Sequence, residues 1–523
     1  MRSRGIIPLL LAVALLATAG VALRGYITDD TFIHLRYAEN LLHRGEFSFN
    51  PGEHSYGATS PLWIFGLALL LAIGVPPLSA PFVLGALSGL LTVAVAWSLL
   101  RRLDLPEVWR TVVLLLITGD VWFLRWSFSG METPLITALL LVLVAPVVRS
   151  GGLRAGAWSQ HLAWGVAAGL AGLTRPEFML VAPLAWPWLA WAGRTDGRGW
   201  RDAVAAALGW LLVLGPWLGF AWWSFGRLTP GTAAAKSAAV TLAPGAILPY
   251  VLQAVQVPAS TQGVMWLGVA VVVVLAWRQG SGKRFSRPEV ALVGVVLTWS
   301  AVLIGGYAAG QVWIISRYIC PLAPVVLLAA AVIARRSLCA LGAFQRPRAG
   351  GILVAVAVVT LAINGWIFIS QVMPHARTFP AGVRECYVGM GEWLRDNSAP
   401  DAVVAALDIG AVGYVSERRV LDLMGLVSPE VLEVGREIGF EEMVTDGAWL
   451  DIPARPGGGP PDYFVDRSEG APRWAGRTVH GVGFELLDTC EIGGVGLREP
   501  QTWTVSLYRL IGPASRNSPS AGG

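Results

Sequence analysis

Charge is what this chain has least of. Asp, Glu, Lys and Arg make up 14% of its 523 residues, where a soluble domain carries roughly 25%. Lysine almost vanishes: of 39 basic residues, only Lys236 and Lys283 are lysines. Cysteine is limited to four residues, and neither CxxC nor HExxH occurs, so the usual zinc spacings are missing. No cofactor is expected; a divalent metal stays open, with no residue pattern to place one. Nothing in this composition points to a cytosolic soluble protein, and nucleic acid is not among the expected partners.

In place of charge stand apolar residues, 54% of the chain, with a mean hydropathy of +0.58. Apolar segments fall at 6–23, 61–77, 81–100, 109–124, 133–149, 161–174, 177–193, 202–222, 262–278, 289–307, 318–334 and 351–371. Most approach the ~20 residues that cross a bilayer as a helix. The first follows Arg2 and Arg4 and contains "ATAG", so it reads as a signal anchor or as a cleaved signal peptide; the many later spans favour the anchor. The Arg-rich linkers after residues 100, 148, 193, 277 and 334 all fall on the cytoplasmic side, as the positive-inside rule asks, if 61–77 does not cross. The expectation is therefore a polytopic α-helical membrane protein with about 11 transmembrane helices, N-terminus inside and C-terminus outside, and 61–77 re-entrant or interfacial. Ordinary spanning of 61–77 is the alternative, and it inverts every later loop.

The loops then placed outside hold Arg36, Arg44, Arg125, Arg175, Arg227, Lys236 and Arg317. Cations on that side run against the topological rule, and an anionic ligand at the membrane surface supplies a reason for them. Beyond the transmembrane part, 1–371, the composition turns polar. Within 372–513, "GMGEWLRDN" reads as a helix, "AVVAALD" and "RRVLDLMGL" as strands and "RPGGGPPD" as a loop, which predicts a C-terminal α/β extracytoplasmic domain. Residues 514–523 read as a disordered tail. Cys386 and Cys490 share this domain, in a compartment that permits oxidation; they are a disulfide or two buried thiols.

The first outer loop, 24–80, opens with two adjacent carboxylates, Asp29 and Asp30. From Asp30 to Arg44 apolar and polar residues alternate as in a helix lying in the membrane interface. An Asp at a helix start caps backbone N–H groups, but one suffices. The second suggests chemistry. A carboxylate can deprotonate a hydroxyl nucleophile, and nearby cations can neutralise a phosphate leaving group. A lipid-linked phosphosugar offers its phosphate at the membrane surface and its sugar in water.

The stretch "TDDTFIHLRYAENLLHRGEFSFNPGEHSYGATSPLW" at 28–63 resembles the first outer loop of the GT-C glycosyltransferases, membrane enzymes that use polyprenyl-phosphate sugars. It is most similar to the branch of mycobacterial-type terminal arabinofuranosyltransferases. "WSFSGMETPL" (126–135), "GLTRPE" (172–177), "FGRLTPGTAAAK" (225–236), "RYICP" (317–321) and "DIGAVGYVSERRVLDLMGL" (408–426) extend the resemblance over most of the chain. The chain departs from the family at Asp120, where a neutral residue is usual, and in "GATSPLW".

The resemblance implies a polyprenyl-phosphate sugar donor, an envelope glycan or lipid acceptor, and an active site outside the bacterial cytoplasmic membrane. It implies Asp29 as catalytic base and Asp30 as its partner. Arg36 and Tyr37 would sit beneath the site. Glu132 would face the site or cap the span that starts at Thr133. Arg175 would pair with Glu177 or face the donor phosphate. Lys236 and Arg317 would hold that phosphate, with interface anchoring beside Trp313 and Tyr318 the other reading of Arg317. Asp408, Gly410 and Gly413 would form a turn that packs the domain on the site or only the domain's own core. The three His of the first loop, His34, His43 and His54, match no zinc spacing.

A lipid-linked-sugar flippase is the alternative function. It would place ionisable groups at mid-span, whereas these acids sit at the expected outer ends. The topology is testable by reporter fusion: one placed after Arg102 should be cytoplasmic and one after residue 380 extracytoplasmic. External accessibility at residue 102 would refute the 11-span arrangement.

Overall fold

The computed structural model describes residues 6–512 apart from 194–198, 232–239, 242, 280–284, 343–346, 456–457 and 498–500. Lys236 and the expected tail at 514–523 lie outside the described residues.

The chain opens with α1 (Ile7–Ala22), α2 (Asp29–Arg44), α3 (Pro61–Ala72) and α4 (Ala80–Leu100). Then come α5 (Glu107–Thr118), α6 (Val121–Ser127), α7 (Thr133–Ser150), α8 (Trp158–Thr174) and α9 (Phe178–Ala192). The bundle is completed by α10 (Gly199–Phe225), α11 (Pro244–Arg278), α12 (Arg287–Ala309), α13 (Ser316–Ala340) and α14 (Gly351–Asn397). Among the described residues, seven helices are long and apolar enough to cross a membrane: α4, α7 and α10–α14. The chain is a multi-pass membrane protein. With 12 residues, α3 is about 18 Å long, short of the ~30 Å hydrocarbon layer.

Several expected segments differ in the structure, among them 262–278, which is the second half of α11. The run 109–124 is not one helix. It breaks at Asp120, whose side chain accepts from Trp122 N and Phe123 N at 3.1 Å and so caps α6. Thr261 Oγ1 and Gln262 Nε2 donate to its other oxygen at 3.0 Å. Four donors around one carboxylate account for a buried acid at this depth. Nor does the helix of the run 351–371 end there. α14 runs for 47 residues, about 70 Å, so the membrane helix continues into the polar domain. Its path includes two π-helical stretches, Phe368–Val372 and Val383–Val388.

The domain beyond α14 is a six-stranded sheet in the order β2-β1-β3-β6-β5-β4. Its elements are β1 (Val403–Ala406), α15 (Gly410–Ser416), β2 (Arg419–Asp422), α16 (Pro429–Ile438), α17 (Phe440–Asp446), β3 (Tyr463–Ser468), β4 (Thr478–Val479), β5 (Val482–Val495) and β6 (Gln501–Ile511). β2, β1 and β3 are parallel and the rest antiparallel. Both sequence-predicted strands and the helix at "GMGEWLRDN" are present. Cys386 on α14 is disulfide-bonded to Cys490 on β5. The edge strand β2 is not left bare: Asn50 of the first loop pairs with it like a further strand, accepting from Val420 N and donating to Val420 O, both at 2.9 Å. Arg419 and Glu53 add an ion pair at 2.8 Å.

Within the bundle, α8 and α10 touch backbone to backbone. A Cβ at Gly165 would lie 2.0 Å from the Ala206 carbonyl, and one at Gly209 would lie 2.1 Å from that of Leu162. Small residues permit this approach where no hydrophobic effect drives helices together. Gly165→Val or Gly209→Val should therefore cost about 1–3 kcal/mol from overpacking, read as a lowered unfolding temperature in detergent. Gly263→Val, at a glycine with nothing within 4 Å, serves as the neutral control.

Candidate active site

The acid pair lies at the start of α2. Thr28 occupies the N-cap position and makes no side-chain cap bond, so Asp29 and Asp30 belong to the first turn. The capping expected of this pair is turned outward. Asp29 accepts the backbone N–H of Gly410 at 2.9 Å and of Ala411 at 2.8 Å. These are orphan donors of the first turn of α15, so an acid of the membrane part closes a helix of the sheet domain. Gly410 is obligatory there, since a Cβ would lie 2.1 Å from the Asp29 carbonyl oxygen. Of the two readings of the Asp408–Gly413 turn, the structure shows docking on the acid pair. Burial raises the Asp29 carboxyl to about 7; the charge of Asp408 adds to the rise, the Ala411 N–H opposes it, and Asp30 adds further.

Asp408 is held in turn by the Tyr387 hydroxyl at 2.6 Å and by Arg467 at 2.9 Å. The Arg467 guanidinium stacks 4.2 Å from the Trp503 ring centroid.

Asp30 takes the other direction. Its Oδ2 meets Arg317 Nη2 at 2.6 Å, and its side chain is 42% exposed. Arg317 is buried over the rings of Trp126 and Tyr318, each centroid 5.6 Å away. It is thus no snorkelling anchor, because its charge is directed at Asp30. Trp126 is fixed by a 2.8 Å bond to Ser316 Oγ, and α6 carries it into place from the Asp120 break. Arg175 stands behind, donating to the Arg317 carbonyl at 2.7 Å and paired with Glu177 at 2.7 Å. Glu132 lies 3.7 Å from Arg175 and makes no side-chain cap bond to α7, so its carboxylate faces the arginine rather than the helix start.

Two buried polar atoms here, His34 Nδ1 and Glu132 Oε2, have no hydrogen-bond partner among the described residues. His34 follows Asp30 by one turn of α2, and burial pushes its imidazole below the ordinary value. A neutral ring can donate from one nitrogen and accept at the other.

The structure therefore gathers Asp29, Asp30, Glu132, Arg175 and Arg317. Arg36 points elsewhere: its Nε donates to the Phe49 carbonyl at 3.3 Å, and Glu417 and Glu39 are the acids beside it. His34, Asp408, Tyr387 and Arg467 belong to the same locus. The sequence marked Asp408 as part of a turn and His34 as one of three loop histidines, without a role at the acid pair; Tyr387 and Arg467 left no signal.

Residues 379–508 match a family profile described as "Domain of unknown function (DUF8728)". A terminal beta-(1->2)-arabinofuranosyltransferase of Mycobacterium tuberculosis is 32% identical over 240 residues, 44% of this chain. The match covers 38% of that relative's length. The arabinofuranosyltransferase AftD from Mycobacteria superposes with a TM-score of 0.56 at 16% identity, over 96% of this chain and 40% of that one. ArnT from Cupriavidus metallidurans, bound to undecaprenyl phosphate, superposes with a TM-score of 0.51 at 11% identity, over 95% and 97%. The fold is that of these membrane proteins, the GT-C fold.

Removing Arg175 leaves Glu132 and Glu177 without their shared cation. Arg175→Met should destabilise the protein by about 3–5 kcal/mol, the usual cost of an uncompensated buried charge. Arg317→Met should cost less, because the Asp30 carboxylate can recover water. Thermal unfolding of the two variants in detergent checks the order.

Proposed function

We propose that the protein is an inverting glycosyltransferase. It moves a sugar from a polyprenyl-phosphate donor to an envelope glycan or lipid acceptor at the extracytoplasmic face of a bacterial cytoplasmic membrane, and the sugar is arabinofuranose. The observation that carries the reading is Asp29, a carboxylate raised to about 7 and fixed by two N–H groups beside a second, more exposed acid. A general base works best with a pKa near the operating pH. Each Asp29 oxygen accepts one N–H bond and keeps a lone pair for a proton. The named activity of the M. tuberculosis relative and the undecaprenyl phosphate in the ArnT structure support the sugar and the carrier class.

In the proposed step, Asp29 takes the proton of an acceptor hydroxyl as its oxygen attacks the anomeric carbon. The bond from that carbon to the phosphate oxygen breaks with its electron pair, and polyprenyl phosphate leaves. Asp30, locked by Arg317, orients the sugar. His34 Nδ1 and Glu132 Oε2, two buried atoms without a hydrogen-bond partner among the described residues, meet sugar hydroxyls. Attack and departure on opposite faces invert the anomeric centre.

The test is transfer by the purified protein from a lipid phosphosugar. Asp29→Asn should lower kcat by about 10²–10⁴-fold. The base acts ionised, and its ionised fraction rises with pH, so kcat/KM should climb with pH through a midpoint near 7 and then level. Asp408→Asn removes a charge that raises Asp29, so the midpoint should move to lower pH. Full turnover by Asp29→Asn, or a midpoint indifferent to Asp408, overturns the assignment of the base.

A further inference from the structure

The sheet domain has a switch point of its own. From β1 the chain passes to β2 on one side, and β3 then joins β1 on the other. Open sheets bind ligands outside the carboxyl ends of parallel strands where the strand order turns in this way. Here that place is the crevice at the ends of β1 and β3. The register Ala406↔Val465, carried on by two residues, sets Asp408 beside Arg467, and the two are ion-paired at 2.9 Å. β6 runs antiparallel to β3 with Thr504 opposite Ser468, so Trp503 stands at the same end. By the alternation of a strand, Asp408, Arg467 and Trp503 continue the row of Val404, Ala406, Val465 and Val505. That row is the sheet face packed with Phe32, Tyr37 and Phe49 of the first loop.

The apolar row thus ends in a polar rim that water reaches: the Arg467 side chain is 31% exposed and that of Asp408 23%. Both bonds from Arg467 to Asp408 come from Nη1, and Arg467 Nε has no hydrogen-bond partner among the described residues. Asp408 Oδ2 takes the Tyr387 hydroxyl, while Oδ1 meets Arg467 at 3.1 Å. The guanidinium lies 4.2 Å from the Trp503 ring centroid, so it is held in place before a ligand arrives. A fork of donors beside a carboxylate, on an aromatic ring, matches adjacent sugar hydroxyls: one accepts from the guanidinium and the next donates to the carboxylate. An anionic ligand would meet the charge of Asp408, and like charges placed together are costly.

We infer that this crevice is a saccharide subsite and that it holds the acceptor sugar on the sheet-domain side of Asp29. Its assignment to the acceptor rests on the transferase reading above; the subsite itself rests on the crevice. Inversion brings acceptor and carrier to opposite sides of the reacting carbon, and the two acids already face opposite ways. Asp30 meets Arg317 of the membrane part, and Asp29 meets the domain that carries Asp408. Arg467 and Asp408 bind the sugar, and Trp503 is a positioning residue for Arg467. The acceptor is then recognised by its glycan rather than by a lipid tail.

The experiment is saturation-transfer NMR on the full chain in nanodiscs, with a methyl arabinofuranosyl disaccharide and no donor. Saturation of the sugar ring protons is expected, and polyprenyl phosphate should not displace the disaccharide. Arg467→Lys keeps the charge beside Asp408 but loses the fork. It should weaken binding about tenfold, the loss of one charge-assisted bond, while the kcat/KM midpoint stays near 7. Trp503→Ala should weaken binding as well, and Trp503→Phe should keep most of it. A diazirine-bearing form of the disaccharide should label the adjacent ends of β3 and β6. Absence of saturation, full binding by both Arg467→Lys and Trp503→Ala, or label confined to the membrane helices overturns the inference. So does Arg467→Lys with normal binding and a shifted midpoint, which would leave the pair only the tuning of Asp29. Binding in the crevice without transfer would overturn the enzymatic reading alone. Transfer with binding indifferent to the variants would overturn the crevice alone.

Discussion

The site depends on one shared carboxylate. Asp29 belongs to the first loop of the membrane bundle, yet both its oxygens are bonded to the sheet domain. The two parts therefore cannot shift against each other without stripping a half-buried acid of its donors, and unpaired buried groups are costly. The remaining contacts agree with that constraint. Asn50 seals the edge of β2, Gly410 allows the approach, and α14 carries the chain from one part to the other without a loop.

Around that acid the charges are arranged in pairs with distinct supports. Arg317 lies on aromatic faces and holds Asp30; Arg467 stacks on Trp503 and holds Asp408. A guanidinium fixed on a ring loses little freedom when it meets an anion. Such preorganised charges need not rearrange when charge develops nearby. Even Asp120 contributes at a distance: it ends α5 so that α6 delivers Trp126 beneath Arg317.

Much of this was legible in the sequence, for physical reasons. Length and hydropathy report the spans because the bilayer imposes both. The loop helix α2 announced itself by amphipathic spacing, and the acid pair by its position just past an apolar run. β1 and β2 followed from short β-branched runs. What stayed illegible was pairing across the chain. Nothing local shows that Arg317 meets Asp30, that Glu132 faces Arg175, or that Asp29 caps a helix of the other domain. The break at Asp120 was also hidden, because hydropathy counts a buried acid as a single polar residue and cannot see its four donors. Arg36 was drawn to the acid pair by sequence proximity, whereas its guanidinium donates to the Phe49 carbonyl and lies beside Glu417 and Glu39.

The partners of Asp29 lie 381 and 382 positions later. Chains leave the ribosome N-terminus first, and their domains fold in that order. The membrane helices that precede the sheet domain are therefore made while Asp29 still lacks its donors and Asp408 does not yet exist. A chain made only that far lacks the two N–H bonds that fix Asp29 and the Asp408 charge that helps to raise it. The geometry around Asp29 is thus complete only once the sheet domain has been made and has docked.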